Sequence, residues 1–351
     1  MNSGATEPLT QIFQRLIAHH GPISVMHYMG ESNARYYASR DPLGGSGDFI
    51  TAPEISQMFG ELVGLWLTDI WSRSGRPDRV HYVELGPGRG TLAGDALRAM
   101  RQQGLDPAVH FVETSPALRA LQRAMAPQAI WHDDLASLPD DAPILLVANE
   151  FLDALPIRQL VMTGQGWRER MVAVQDDRFV AVAGDKPMDA AVPPELRDAG
   201  VGTLIETCPG AATVVEEVAS RLAAQGGAAL FVDYGSDAPR TGSTLQAVRA
   251  HTKVDVFAFP GEADITAHVD FATLAQVARA AGCRWLGTTT QGAWLNDLGI
   301  EARAAQLAHF APQQASAIHG AKERLIAEEQ MGALFKVMGL AAPSWADGAG
   351  F

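Results

Sequence analysis

A chain of 351 residues, 47% hydrophobic and 19% charged, can bury a large core and has room for one elaborated domain or two. Its net charge of −13 argues against general nucleic-acid binding, which needs a basic surface, and leaves open an acidic groove for a basic partner. No stretch reaches the ~18 uninterrupted apolar residues of a membrane span, the N-terminus MNSGATEPLTQIFQRLI has neither a signal nor a transit pattern, and Cys208 and Cys283 form no disulfide framework or metal spacing, so a reduced, cytoplasmic setting is the expectation.

Leu9, Ile12, Phe13, Leu16 and Ile17 fall at helical spacing, which predicts a helix over residues 7–20 ended by Gly21-Pro22, with a second helix running to Tyr37. The Gly/Pro-rich run DPLGGSGDFITAPEIS, residues 41–56, holds Asp48, Phe49 and Glu54. It leads into a long apolar helix ending near residue 71, and a loop so placed could close over a ligand.

RVHYVELGPGRG, residues 79–90, reads as a buried parallel strand turning sharply into a helix that starts near Thr91. Gly86, Gly88 and Gly90 let the backbone approach a nucleoside without a Cβ in the way, and the helix N-terminus adds amide donors. A dinucleotide fingerprint needs a third glycine where this chain has Thr91. S-adenosylmethionine carries an ammonium and a sulfonium and no phosphate, so Glu84 ahead of the glycines suits it better, with a nicotinamide enzyme as the competing reading. A second strand, AVHFVET, ends in Glu113, 23 residues after Gly90, where an acid of such folds binds ribose hydroxyls. Ser115 and Pro116 then open a helix. A short third strand, residues 129–132, leads to Asp133 and Asp134, either of which could accept from an adenine amino group.

The fourth strand, PILLVANE, residues 143–150, is the most clearly buried, and it runs into NEFLDALP. Chemistry in open parallel sheets sits beyond the strands' carboxyl ends, so Asn149, Glu150 and Asp153 are candidates for the reacting centre. Alternating sequence over residues 157–184 predicts a β-meander inserted into the sheet. A helix over residues 210–224 and the strand AALFVDYG follow. Residues 241–270 read as a long polar connection; His251, Glu262, Asp264, His268 and Asp270 within it fit no metal spacing. Residues 293–330 are helical, and ALFKVMGL supplies a last strand. The expected division is residues 1–75 for the N-terminal helices and covering loop, 76–340 for the core with insertions at about 157–184, 236–269 and 293–330, and 341–351 for a tail.

Taken in order, GDFITAPEISQMFGELVG, VELGPGRGTLAGDALR, ANEFLDALPIRQ, the DYG at 233–235, GEADITAHVDF and QMGALFKVM resemble the MidA family of S-adenosylmethionine-dependent methyltransferases over about residues 7–340. That family includes a mitochondrial arginine methyltransferase needed for respiratory complex I assembly. The resemblance implies the α/β, Rossmann-like class I methyltransferase fold: a seven-stranded, mostly parallel sheet with N-terminal helices, a β-meander insertion and a helical insertion. It implies S-adenosyl-L-methionine as cofactor and symmetric dimethylation of an arginine on a protein substrate. By motif it assigns Glu84, Gly86, Gly88, Gly90 and Glu113 to the cofactor, Asp133 or Asp134 to its adenine, and the loop with Gly47, Asp48, Phe49 and Glu54 to covering it. For the chemistry, Glu150 and Asp153 could hold a guanidinium, and His268 or Asp270 could take its proton. A cofactor-binding assembly protein without catalysis is the alternative.

Overall fold

The computed structural model describes residues 7–39 and 50–351, and the chain divides into two compact units. Among the described residues the larger holds 50–153, 211–238 and 269–351, and the smaller holds 7–39, 154–210 and 239–268.

Seven strands build the sheet of the larger unit: β1 (His81–Leu85), β2 (Ala108–Val112), β3 (Ile130–His132), β4 (Ile144–Asn149), β5 (Gly227–Ser236), β6 (Arg284–Thr290) and β7 (Phe335–Ala341). They lie in the order β3-β2-β1-β4-β5-β7-β6. Only β7 runs antiparallel to its neighbours, so the expected mostly parallel sheet is present. A two-residue strand, Val269–Asp270, pairs with the end of β5 as an addition to it. Strand β1 is buried along its whole length and β4 up to Asn149, as strands covered on both faces must be. The order reverses between β1 and β4, which leaves a crevice beyond their carboxyl ends.

The helix after β1, Thr91–Gln102, is set by close backbone contact with Gln57–Arg73. A Cβ on Gly64 would lie 2.4 Å from the Ala96 carbonyl oxygen, and one on Gly60 would lie 2.7 Å from Asp95 Cβ. Being four apart, both glycines face that partner. Phe59, Trp66, Tyr82, Phe111, Val147, Leu230 and Trp294 fill the core around them. The segment expected as a tail packs here too: Trp345 is buried, and Trp66 Nε1 donates to the Ala349 carbonyl at 3.0 Å.

The smaller unit contains the expected meander, Arg158–Thr163, Gly166–Gln175 and Arg178–Pro187. Its sheet also recruits Leu204–Thr207 and, from the N-terminal region, Ile23–Ser24. The linear boundary at residue 75 is therefore not where the contacts divide. Ile23 pairs with Val172 and Ser24 with Met171, so the helices Leu9–His20 and Val25–Ser39 share a core with the meander through Phe13, Tyr28, Met29 and Val172. Residues 241–270, expected as an irregular connection, contain a three-stranded sheet of Gln246–Arg249, Thr252–Val254 and Asp264–Thr266. Among the described residues no helix is long and apolar enough to cross a membrane.

Candidate functional site

Beyond Leu85 the chain passes through Gly86, Gly88 and Gly90 with φ of +60°, +54° and +84°, and the helix Thr91–Gln102 starts from the last of these. Gly86 bars a side chain twice. Its φ is left-handed, and a Cβ there would meet the Phe151 ring at 2.8 Å. The helix start leaves backbone N–H groups without intrahelical partners, a setting that receives polar ligand groups.

Glu84, expected to offer its carboxylate at the strand's end, is buried on the same face as Tyr82, as the two-residue strand period requires. The Tyr82 hydroxyl donates to Glu84 Oε2 at 2.6 Å, and burial pushes the carboxyl up to about 8. A cation brought near would favour its ionised form.

Glu113, just past β2, accepts from the Ser115 amide at 2.7 Å and from Gln122 Nε2 at 3.2 Å. Burial raises its pKa and these donors pull it back. Gln122, fully buried on the helix Pro116–Met125, also donates to the Gly88 carbonyl at 2.8 Å and accepts from Trp131 Nε1 at 2.7 Å. One side chain thus ties the glycine turn to the end of β2. Arg119, on the same helix, donates to the Glu113 carbonyl at 2.6 Å, the His132 carbonyl at 3.0 Å and Asp133 Oδ1 at 2.6 Å. Sequence reasoning missed both residues; the available signal was the i,i+4 placement of Gln122 under Leu118, which marks a buried helix face. Asp134 caps its own turn, accepting from the Ser137 amide at 2.9 Å, and these Ser137 bonds hold it below the usual carboxylate range.

At the end of β4, Asn149 Nδ2 donates to Glu150 Oε1 at 3.1 Å, while Asn149 Oδ1 is buried with no hydrogen-bond partner among the described residues. An orphaned acceptor costs about 1–3 kcal/mol, so this position fits a donor on a bound molecule, such as an ammonium. Glu150 sits at φ +51° and also accepts from the Ala52 amide at 2.9 Å. Burial pushes its carboxyl up to about 7, and the positive charge of Arg324 works against that rise. Ala52 opens the short helix Ala52–Ile55, from which Glu54 accepts the Thr91 hydroxyl at 2.5 Å. The segment ahead of the long helix is therefore bonded to the end of β4 and to the helix behind the glycine turn. Gly47, Asp48 and Phe49 lie outside the described residues.

The carboxyl ends of β1, β2 and β4 thus carry the expected Glu84, Gly86, Gly88, Gly90, Glu113, Asn149 and Glu150 within one unit. Asp153 follows on the same turn, its amide bonded to Asp233 at 3.2 Å. His268 belongs to the smaller unit, where its amide donates to Thr244 Oγ1 at 2.9 Å and its Nδ1 lies 2.7 Å from Arg240 Nη1. Burial and the Arg240 charge lower its pKa.

A family model described as "Putative S-adenosyl-L-methionine-dependent methyltransferase" matches residues 62–289. Protein arginine methyltransferase NDUFAF7, mitochondrial, of Homo sapiens is 37% identical over 86% of this chain and 76% of its own. The Drosophila melanogaster homolog is 35% identical over 91% and 82%. Among solved structures, a Burkholderia thailandensis protein bound to S-adenosyl-homocysteine superposes with a TM-score of 0.83 at 30% identity, covering 97% of this chain and 93% of that one. A native crystal structure from the same organism gives 0.80 at 31%, covering 97% and 95%. This chain belongs to the MidA family of S-adenosylmethionine-dependent methyltransferases, with the class I fold and S-adenosylmethionine as its cofactor.

Proposed function

We propose that this methyltransferase modifies an arginine on a protein substrate. The observation that carries the reading is the half-buried Glu150 at the end of β4, held at φ +51° with its carboxylate accepting from the Ala52 amide, beside the Phe151 that closes on the glycine turn. A guanidinium is a poor nucleophile because its lone pairs are delocalised. A carboxylate that grips it through paired hydrogen bonds fixes its plane and balances the charge that develops. The bound cofactor supplies a sulfonium methyl, and the chain's work is to position and orient. Relatives at 35–37% identity that are named protein arginine methyltransferases support the substrate class.

In this reading Gly86, Gly88 and Gly90 let the backbone approach the cofactor, with Glu84 and Asn149 Oδ1 toward its ammonium and Glu113 toward its ribose. Asp133 or Asp134 meets the adenine, with Asp48 and Phe49 covering. Glu150 and Asp153 hold the substrate, and the proton released on methylation leaves to water; His268, in the smaller unit, is given no part in this site. A respiratory complex I subunit is the target to try first, a choice that rests on the family resemblance. The relatives are named mitochondrial, which lends the expected cytoplasmic setting no support.

The test adds purified protein and methyl-labelled S-adenosylmethionine to an extract of cells lacking this protein, followed by hydrolysis and separation of methylated amino acids. Label in methylarginine is expected. Label confined to lysine, or to no protein residue, would sink the reading.

A further inference from the structure

We propose that Asp233 is a positioning residue for this site, its carboxylate holding the turn 150–153 in the conformation that directs Glu150 and seats Phe151 on Gly86. The parallel ladder between β4 and β5 ends where the Glu150 amide donates to the Val232 carbonyl at 2.8 Å. Beyond it the chain leaves the sheet, and the next amides have no strand to bond to. Asp233 Oδ2 collects them, accepting from Phe151 at 3.2 Å, Leu152 at 2.9 Å and Asp153 at 3.2 Å, while Oδ1 accepts from the Tyr234 amide at 2.9 Å. The side chain is 1% exposed, so nothing from solvent could replace it.

A helpful cap would stop at satisfying amides. Two features go further. Glu150 is held at φ +51°, a conformation a non-glycine residue keeps only when its surroundings impose it, and the Phe151 ring closes against Gly86 of the cofactor turn. The groups facing Glu150 are the Ala52 amide, Asn149 Nδ2, the Arg324 charge from the helix Ala315–Ile326 and the Asp233 charge. Burial raises both carboxyls, and repulsion from Glu150 raises Asp233 further while its amide donors pull it back, so the two titrate as a pair. This inference rests on the reading of Glu150 given under Proposed function, but its test needs no turnover.

In the full-length Asp233→Asn protein, amide exchange at Phe151, Leu152 and Asp153 should quicken roughly tenfold or more while Leu145–Val147 stay protected. The carbon-13 titration midpoint of the Glu150 carboxyl, assigned by its absence in Glu150→Gln, should fall by about one pH unit, and the Kd for S-adenosylhomocysteine should rise roughly tenfold. Faster exchange with an unmoved midpoint would reduce Asp233 to a structural cap and overturn the proposal, as would unchanged exchange. Should Asp233→Asn fail to fold, amide exchange in the wild-type protein decides: Phe151, Leu152 and Asp153 protected alongside Leu145–Val147 is expected, and exchange at the rate of an open loop overturns it. Absence of methyl transfer by the wild-type protein would sink the activity reading and leave these measurements standing.

Discussion

Tyr82 donates its hydroxyl proton to Glu84 at 2.6 Å, from two residues earlier on the same buried strand. With its pKa near 8 when folded and 4.5 as the reference value, Glu84 holds a proton in the folded chain that the unfolded chain releases. Its contribution to stability is therefore full below about pH 4.5 and declines as the pH climbs through about 8. Urea unfolding of the ligand-free protein should show stability falling between those limits, and Glu84→Gln should make that fall shallower. It should not abolish it, because Glu150 and Asp233 are raised by burial as well. The same pH dependence in variant and parent would return Glu84 to an ordinary pKa.

Gly86→Ala imposes a left-handed penalty of about 1–2 kcal/mol and drives a methyl into the Phe151 ring. Calorimetric affinity for S-adenosylhomocysteine should fall roughly tenfold or more. Gly21→Ala is the matched control, since its φ is +81° and a Cβ there meets nothing within 4 Å. Equal, undiminished affinity in both would move the cofactor off this turn.

Gln122→Leu keeps bulk but leaves the Gly88 carbonyl and Trp131 Nε1 without their partner. Each buried group so stranded costs about 1–3 kcal/mol. Melting temperature and S-adenosylhomocysteine affinity should fall together. Glu113→Ala should lower affinity by about 1–3 kcal/mol through a lost ribose partner, and an affinity within about twofold of the parent would assign that acid to folding alone.

The strands were legible because apolar runs closed by acids recur down the chain, and Ser115 caps its helix as its type demands, accepting from the Leu118 amide. Glu84 shows the limit. The alternation that puts it on the Tyr82 face was in the sequence, but its burial depends on helices packed from elsewhere. Asp233 read as a strand-end acid because its donors lie more than 80 residues away at Phe151 and Leu152. The smaller unit was hidden for the same reason: Ile23 meets Val172 only once the fold has formed. Periodicity reports local geometry and carries no record of such partners.

The most direct test of the account is Glu150→Gln, which keeps shape and hydrogen-bonding capacity and removes the charge. In the proposed reading its carboxylate meets the substrate and not the cofactor, so S-adenosylhomocysteine affinity should be nearly unchanged. Methyl transfer to protein arginine should fall by roughly 10² or more, the scale of one lost electrostatic contact to a transition state. Asp153→Asn should act in the same direction with a smaller effect if it only braces the turn. Full transfer by Glu150→Gln with unaltered cofactor affinity would contradict the claim that this carboxyl orients the arginine.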